Sequence, residues 1–263
     1  MLLLPVWHKL EAQRDDEGRF AGKSAAGSSF AETWTMEQLG YQSFDTPLFR
    51  SQLRAEFSSW IGRHFLKKRS RIRPASTPVL LDLGAGENRT QGWTHVDFFQ
   101  LPALHFWRRH SGYIRPEVQT DLRFPLDCPS DSIEGVYCSH TLEHLYPKAA
   151  LALLREVFRV LRSGAWLRIG VPDLEKYVSF YVGPDIPPGF DVFRSGAEAI
   201  SYVTQNHGHH SAWDERMLST VLVETGFTSV RRVGFGREGS DRRLIKEEAH
   251  REWETLVVEA RKP

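Results

Sequence analysis

Cysteine is scarce in this chain of 263 residues, which contains only Cys128 and Cys138. Neither belongs to a CxxC pair, so we expect neither a disulfide scaffold nor a thiolate zinc site, and a reducing compartment fits best. An excess of one charge is also missing, since 34 Lys and Arg residues against 33 Asp and Glu residues leave a net charge of +1. Nucleic-acid binding normally uses a broad positive field, so we expect no nucleic-acid partner.

Long hydrophobic runs are absent as well, and no stretch reaches the roughly 20 apolar residues that cross a bilayer. Residues 1–7 are apolar, but they lack a basic leader and lead directly into a polar stretch, which is not the pattern of a signal peptide. We therefore predict a cytoplasmic protein. What the sequence does contain, 41% hydrophobic and 25% charged residues, is typical of a globular protein with one large core.

Two parts of unequal size are predicted along the chain. Residues 1–46 predict an irregular N-terminal arm, because their middle part is polar, rich in Gly, Ala and Ser, and without hydrophobic periodicity. We predict that residues 47–263 form a single domain. Its first segment, 47–68, has apolar residues at helical spacing with basic residues between them, which predicts an accessory basic helix. This helix could dock on the main domain or make a peripheral contact with a membrane surface.

After Pro78, short apolar runs of strand length alternate with helical segments. The runs are 79–83, 95–98, 135–139, 166–171, 230–235 and 255–260. Alternation of this kind predicts an α/β fold with a doubly wound, mostly parallel sheet that has helices on both faces. A connection rich in charged residues joins the last two strands, which indicates an antiparallel pair at one edge.

Two helices have clear ends in the sequence. The segments 148–162 and 211–225 each carry an apolar stripe and stop before a glycine. At the start of the second helix, Ser211 and Asp214 are three residues apart, which predicts a capping box.

A glycine turn ends the first strand, where Asp82 is followed by Gly84 and Gly86. Two glycines around one small residue let the backbone turn sharply and bring its amides against a ligand, and ligands of such sheets bind beyond the carboxyl ends of the strands. A dinucleotide-binding site would have a third glycine at the position of Arg89. It would also need a full crossover helix after the turn, and residues 87–92 are too few to form one. The sequence therefore disfavours dinucleotide binding. S-Adenosylmethionine carries no phosphate and can use the same turn without that helix.

Acidic residues follow the next strands. Asp97 closes the second strand and is placed to accept hydrogen bonds from vicinal ribose hydroxyls, with an aspartate that only caps the next turn as the alternative. Further along, Asp121 could accept from an adenine amino group while Leu122 lies on the ring face. An Asp121 that satisfies its own backbone is an equally good interpretation of the spacing.

The strand at 135–139 is followed by His140, Glu143 and His144, in the His-x-x-Glu-His order of a class of zinc peptidases. Such a site needs all three residues on one helix. Because His140 follows an apolar strand directly, we place it with Ser139 on the strand-end turn, facing the ligand crevice, and we predict that the chain binds no metal. A zinc hydrolase stays as an alternative.

The segment 182–210 is rich in Pro and Gly, and we predict that it forms a lid insertion over a bound acceptor. It ends in a second histidine group, His207, His209 and His210. If the acceptor is a hydroxyl or a protonated amine, an imidazole is suited to act as the general base, so the candidate catalytic residues are His140, His207 and His209. Metal binding by the histidine group and solvated loop histidines stay as alternatives.

Taken in order, these motifs resemble one family, the class I S-adenosylmethionine-dependent methyltransferases, and in particular the bacterial methyltransferase type 11-like proteins. Four segments carry the resemblance: LDLGAGENRTQGWTHVDFF, DLRFPLDCPSDSIEGVYCSHTLEHL, LLREVFRVLRSGAWLRIGVPDLEKYV and HHSAWDERMLSTVLVETGFTSVRRVGFG. The resemblance implies a Rossmann-like sheet of the seven-stranded type and S-adenosyl-L-methionine as the cofactor. The implied cofactor-binding residues are Asp82, Gly84, Gly86, Asp97 for the ribose, Asp121 and Leu122 for the adenine, and Ser139 beside the substrate.

The expected function is therefore methyl transfer, in line, from S-adenosylmethionine to a small molecule or a saccharide-type acceptor. The acceptor class comes from family analogy alone. A noncatalytic module that keeps the fold and binds the cofactor is the alternative, and the sequence leaves the oligomeric state open.

Overall fold

A computed structural model describes residues 46–65, 71–72, 79–86, 89–98, 116–183 and 187–263. The predicted irregular arm therefore lies outside the described residues, apart from Thr46, which begins the first helix. The strands are β1 (Leu80–Leu83), β2 (Trp93–Asp97), β3 (Val118–Gln119), β4 (Ile133–Ser139), β5 (Leu161–Pro172), β6 (Thr228–Arg232) and β7 (Thr255–Arg261). The helices are α1 (Thr46–Phe65), α2 (Pro147–Val160), α3 (Leu174–Val182), α4 (Gly196–Gln205) and α5 (Glu215–Thr225).

The described strands form one seven-stranded sheet in the order β3-β2-β1-β4-β5-β7-β6. Pairing is parallel from β3 through β5, whereas β7 runs antiparallel to both of its neighbours, β5 and β6. This confirms the predicted doubly wound, mostly parallel sheet with an antiparallel edge pair. The strand order reverses between β1 and β4, so the ligand crevice of this fold opens beyond the carboxyl ends of those two strands.

Apolar residues of the central strands and of the helix α2 fill the main core. Leu81, Leu83 and Ile169 have no exposed surface, and Leu153 and Leu154 of α2 are 1% exposed. Burial on both faces explains why the parallel strands read as continuous apolar runs in the sequence.

One row of polar residues interrupts this apolar pattern, and it crosses the sheet in register from β2 to β6. Its members are His95, Asp82, Tyr137, Arg168, Glu259 and Arg231, each paired with the next. Residues in register on neighbouring strands point to the same face of a sheet. That face therefore carries charge in its middle, and something other than an apolar helix must cover it.

The connection between β6 and β7, residues 233–254, provides the cover. Arg168 of β5 is completely buried and forms ion pairs with Glu247 of this connection and, at 2.8 Å, with Glu259 of β7. It also donates to the backbone carbonyl oxygens of Glu238 (2.6 Å) and Gly234 (3.3 Å). A single guanidinium thus fastens the connection, which we call the β6–β7 loop, to the sheet.

Local differences from the predicted elements have physical causes. The strand β3 has only two residues, too few to produce a hydrophobic pattern. The capping box at the start of α5 was predicted wrongly: the Ser211 hydroxyl donates to the carbonyl oxygens of Leu142 and Leu145, and Asp214 alone caps the helix by accepting from the Met217 amide at 2.7 Å. Ser211 thereby ties the start of α5 to the segment after β4.

The helix α1 lies where the accessory helix was predicted. The side that it buries is its small polar side and not its apolar side. Ser58 and Ser59 are buried, whereas Leu53, Phe57 and Trp60 remain 44–53% exposed. Its described polar contacts run to the segment after β3, where the Ser59 hydroxyl donates to the Asp121 carboxylate. The small polar side of α1 therefore docks, and apolar residues are left on its surface.

The segment predicted as a lid insertion contains the helix α4, which packs on α3 in a second, smaller apolar cluster. Tyr177, Phe180 and Phe190 form its buried aromatic part, and Trp253 of the β6–β7 loop packs against it. Residues 184–186 lie outside the described part of the chain. The described remainder of the segment thus packs against aromatic residues of α3 and of the β6–β7 loop.

Arg168→Met tests how strongly the buried guanidinium holds the molecule together. Since the substitution leaves Glu247 buried without its cation and Glu259 with only Arg231, 3.6 Å away, we expect it to lower the free energy of unfolding by about 3–5 kcal/mol. Urea denaturation followed by tryptophan fluorescence measures the change.

Arg162→Met is the matched control, because Arg162 lies on the same strand and its partner Glu134 is only part-buried. Its expected cost is below about 1 kcal/mol. Equal losses for the two variants would contradict a special role for Arg168.

Candidate active site

A cleft of about 430 Å³ opens at the carboxyl ends of β1 and β4, under the β6–β7 loop. Its lining combines the glycine turn, the end of β4 and charged residues of the loop. The lining residues are Asp82, Gly84, Ala85, Gly86, Arg89, Thr90, Tyr137, Ser139, His140, Phe235, Lys246, Glu247, Glu248 and Arg251.

The glycine turn after β1 is built so closely that only glycine fits its first position. Gly84 has φ +71°, and a Cβ atom there would lie 2.1 Å from Oγ1 of Thr141. Thr141 is itself fixed, since its hydroxyl contacts the carbonyl oxygen of Leu83 at 3.1 Å. Gly86 also has a positive φ, +57°, but an added Cβ would meet nothing within 4 Å. The second glycine thus keeps the turn open toward the cleft.

Asp97, at the end of β2, lies directly behind this turn. One carboxylate oxygen accepts from the Gly86 amide at 2.9 Å and the other from the Phe98 amide at 2.6 Å. Burial is the main reason that the pKa of Asp97 is raised above its usual value, and these amide hydrogen bonds oppose it. Because a carboxylate has about four acceptor positions, Asp97 can still accept hydrogen bonds from a ligand.

Asp82, in the last part of β1, forms an ion pair with Lys246 of the β6–β7 loop. The ammonium group of Lys246 also lies 4.3 Å from the ring centre of Trp93. Sequence analysis placed Asp82 at the site but missed Lys246. The one feature of the sequence that points toward Lys246 is the high charge of the connection that contains it. That feature does not identify which charged residue contacts β1.

The β6–β7 loop adds a second acid to the cleft that sequence analysis missed. One carboxylate oxygen of Glu247 pairs with Arg168, whereas Oε2 is buried and has no hydrogen-bond partner among the described residues. Tyr137 lies nearby, and burial followed by the charges of Glu247 and Asp82 raises the pKa of its phenol. The cleft therefore has buried acceptor and donor groups of its own beside the glycine turn.

Asp121 and Leu122, predicted at the adenine, are not among the lining residues of the cleft. The Asp121 carboxylate accepts from Ser59, from the Arg123 amide (3.0 Å) and from the Arg123 guanidinium (2.7 Å). This agrees with the alternative in which the aspartate satisfies its own segment, although an adenine contact stays a prediction for both residues.

Ser139 and His140 line the cleft at the end of β4, as predicted. His140 has φ +49°, which turns the chain away from the strand. Its Nε2 lies 2.9 Å from Oγ1 of Thr255, and its Nδ1 lies 3.2 Å from a carboxylate oxygen of Glu143. His140, Glu143 and His144 do not share an α-helix, since only Leu142–His144 form a short 3₁₀ turn. The zinc-peptidase arrangement of these three residues is therefore absent.

His207 and His209 lie outside the lining of the cleft. Nε2 of His207 is 3.1 Å from the Tyr202 hydroxyl, and Nδ1 of His209 is 2.8 Å from the carbonyl oxygen of Val203. The His209 ring is close to His144 instead, with ring centres 4.9 Å apart. The structure thus brings one of the two predicted catalytic histidines of this segment to the turn after β4.

Both cysteines, Cys128 and Cys138, are buried and free of disulfide bonds, as predicted. Burial raises the pKa of the Cys138 thiol to about 12, so this group stays protonated near neutral pH. Neither thiol belongs to the cleft.

The predicted cofactor residues divide into three groups by position. Asp82, Gly84, Gly86 and Ser139 line the cleft together. Asp97 is joined to the lining through its hydrogen bond with Gly86. The adenine candidates lie beyond the described lining.

One known family matches part of the chain. Residues 81–169 match the family described as Methyltransferase domain, a segment that includes the glycine turn, Asp97, Asp121 and the end of β4. No curated protein matches the chain.

Solved structures that are similar to this chain include three methyltransferases. An S-adenosylmethionine-dependent methyltransferase from Archaeoglobus fulgidus is 16% identical over 83% of this chain and 100% of that one, with a TM-score of 0.44. One from Thermotoga maritima, described as a possible histamine N-methyltransferase, is 15% identical over 82% and 95%, also at 0.44. The Haemonchus contortus phosphoethanolamine N-methyltransferase 2, in complex with S-adenosyl-L-methionine, is 15% identical over 85% of this chain and 61% of that one, at 0.41.

Within the part of the chain that the structure describes, no helix combines the length and the apolar character that crossing a membrane requires.

Gly84→Ala tests the close fit of the glycine turn. Its Cβ would be in a strained backbone region and in collision with Thr141, so we expect it to lower the free energy of unfolding by about 2 kcal/mol or more. Gly86→Ala is the control, because it adds only the backbone strain of about 1–2 kcal/mol. Urea denaturation compares the two variants.

The double variant Gly84→Ala/Thr141→Ala should regain part of the loss, since the two Thr141 atoms nearest to the added Cβ are then gone. Equal destabilisation by both single variants, or no recovery in the double variant, would contradict the proposed collision.

Proposed function

We propose that the chain is a class I S-adenosylmethionine-dependent methyltransferase, which uses the domain matched at residues 81–169 to methylate a small-molecule or saccharide-type acceptor in the cleft under the β6–β7 loop. The observation that supports the proposal most directly is the glycine turn backed by Asp97 at the carboxyl ends of β1 and β2. This is where a nucleoside binds in a doubly wound sheet.

The groups around the turn fit S-adenosylmethionine. Gly86 leaves open space at the cleft wall, so a ligand can approach the backbone without meeting a side chain. Behind it, the part-buried Asp97 carboxylate accepts from two backbone amides and has acceptor capacity to spare, which suits the two hydroxyls of a ribose. We place the ribose at Asp97 and propose that Asp121 and Leu122 approach the adenine.

The ion pair of Asp82 and Lys246 fits the amino-acid end of the same cofactor. That end carries one ammonium and one carboxylate, and the cleft offers one carboxylate and one ammonium at the glycine turn. We propose that Asp82 binds the cofactor ammonium and Lys246 the cofactor carboxylate. The exchange replaces one internal ion pair by two pairs with the ligand, so no charge is left buried without a partner.

S-Adenosylmethionine supplies a methyl group on a positively charged sulfur, and transfer proceeds in line with dispersal of that charge. The chain's contribution is to hold the acceptor in that line and to keep water out, since positioning alone can provide much of the rate. Ser139 and His140 stand at the cleft wall next to the turn, where they can orient a polar acceptor. We propose that an acceptor hydroxyl replaces the Thr255 hydroxyl at Nε2 of His140 and passes its proton to that nitrogen, with the imidazole hydrogen then on Nδ1, which faces Glu143.

Charged and polar groups on the loop side favour a hydroxyl-bearing acceptor. Lys246, Glu247 and Arg251 face the cleft from the β6–β7 loop, and Glu247 has one buried oxygen free to accept. We propose that the segment 182–210 closes over this acceptor and that the helix 47–68 is an accessory element of the domain. His207 and His209 stay as further catalytic candidates.

Calorimetric titration with S-adenosylmethionine and with its demethylated product tests the cofactor assignment. We expect one site on the purified chain. Asp97→Asn should weaken both ligands about 10-fold or more, because hydrogen bonds to a charged group contribute about 1.5–3 kcal/mol.

Asp214→Asn is the matched control, since Asp214 also accepts a backbone amide but caps α5 away from the cleft. Its affinity for both ligands should stay within about twofold of the original. A chain that binds neither ligand would overturn the assignment, and equal weakening in both variants would remove Asp97 from it.

A screen of hydroxylated and amine acceptors with methyl-labelled cofactor tests the transfer itself. For an accepted substrate, we expect His140→Ala to lower kcat about 100-fold or more, the scale of general base catalysis, with cofactor affinity nearly unchanged.

The exposed His250→Ala serves as the control. Unaltered turnover in His140→Ala would take His140 out of the mechanism. Cofactor binding without transfer to any acceptor would favour a noncatalytic module.

A further inference from the structure

Three ligand-type side chains meet behind the end of β4, in a group that we call the Glu143 cluster: Glu143, His144 and His209. One potential ligand atom from each lies within 4.8 Å of the others. Glu143 and His144 come from the 3₁₀ turn after β4, and His209 comes from the segment before α5. Residues that are 65 positions apart in sequence thus converge on one point.

Glu143 lacks the hydrogen bonds that a buried carboxylate normally has. Its side chain is 1% exposed, and neither oxygen has a hydrogen-bond partner among the described residues. The nearest group, Nδ1 of His140 at 3.2 Å, lies within ion-pair distance but not in hydrogen-bond geometry. A buried charge of this kind is costly unless a cation or a metal compensates it.

The imidazole of His209 is oriented as in a metal ligand. Its Nδ1 lies 2.8 Å from the carbonyl oxygen of Val203, so Nδ1 carries the hydrogen and Nε2 keeps a free lone pair. Metal-binding histidines usually donate their second nitrogen in this way, which fixes the ring and its tautomer.

The backbone holds the two halves of the cluster together. The amides of His210 and Ser211 both donate to the carbonyl oxygen of Glu143, at 2.7 and 3.2 Å. His209 is therefore brought to Glu143 by main-chain hydrogen bonds that do not depend on the side chains of the cluster. Ligands that are held close together by the main chain are favourable for metal binding.

We propose that Glu143, His144 and His209 bind one divalent first-row transition-metal ion, with zinc as the ion used to test it. Two histidines and one carboxylate form a ligand set that zinc accepts, with a further position left for water or another oxygen ligand. The three ligand atoms lie within 4.8 Å of one another. Bonds from zinc to nitrogen and oxygen are about 2.0–2.2 Å long, so the ligand atoms must move closer together, which rotation of the side chains allows. His144 is exposed and gives the ion a path from solvent.

This ligand set differs from the zinc-peptidase pattern considered for the sequence, because His140 is engaged by Thr255 and His209 takes its place. It also departs from the prediction that the chain binds no metal. The proposal does not depend on methyl transfer, since it rests on the Glu143 cluster alone. Through Glu143 the ion would nevertheless lie next to His140 and so beside the cleft.

Zinc titration of the chelator-treated full-length chain, by calorimetry against a competing chelator, tests the proposal. We expect one equivalent to bind and to raise the melting temperature, because the ion binds the folded chain. Co²⁺ used as a second probe should give visible absorption bands of a low-coordinate nitrogen and oxygen site.

His209→Ala, His144→Ala and Glu143→Gln should each weaken zinc at least about 100-fold and abolish the cobalt bands, since even outer-shell changes cost 10–100-fold. His210→Ala is the matched control: it lies next to His209, is exposed, and stacks on Tyr146 with ring centres 4.2 Å apart. Its zinc affinity should stay within about twofold.

Circular dichroism confirms that each variant is folded, and the three ligand substitutions serve as checks on one another if one of them is not. The proposal is overturned if the original chain binds no stoichiometric zinc or cobalt. It is also overturned if His210→Ala loses the ion as completely as His209→Ala, or if Glu143→Gln leaves binding unchanged.

Discussion

The completely buried guanidinium of Arg168 is the interaction on which the functional half of this molecule depends. It joins the strand β5 to Glu259 of β7 and to Glu247 of the β6–β7 loop, and it donates hydrogen bonds to two backbone carbonyl oxygens of the loop. A buried cation needs such complete neutralisation, because removing it from water costs several kcal/mol. The ion pairs of Arg168, and not apolar packing alone, therefore hold the loop over the sheet. The same loop places Lys246 and Arg251 at the cleft.

The polar row across the sheet explains why this loop can carry a site. An ordinary parallel sheet is covered by helices on both faces, and apolar contacts leave little room for a ligand. Here Asp82, Tyr137 and Arg168 occupy neighbouring register positions, so the covering segment must present charges and carbonyl oxygens to them. Between this segment and the glycine turn lies the cleft. Fold and site thus share the same charged residues.

The strand pattern, the antiparallel edge pair and the glycine turn could be predicted because each depends on residues close in sequence. Asp82, Gly84 and Ser139 were found at the cleft for the same reason, since strand ends are visible in the sequence. Lys246 and Glu247 could not be found, because their partners Asp82 and Arg168 lie 164 and 79 residues away. Ser211 was misjudged on similar grounds: its hydroxyl serves the carbonyl oxygens of Leu142 and Leu145 rather than its own helix. The orphaned carboxylate of Glu143 is also a property of packing that sequence spacing does not show.

The position of β7 between β5 and β6 has a consequence for how the sheet is assembled. β6 touches the rest of the sheet only through β7, which pairs with β5 along seven residue pairs. Until β7 has been inserted, Arg168 faces a half-built sheet without the carboxylate of Glu259, and β6 has no neighbour to join. Long-range pairings of this kind form late and slowly, since a large loop must close first. We therefore expect the edge strand β6, the neutralised ion pairs of Arg168 and the cleft under the β6–β7 loop to form in a single cooperative step. A sheet that lacks β7 would then lack the binding cleft as well.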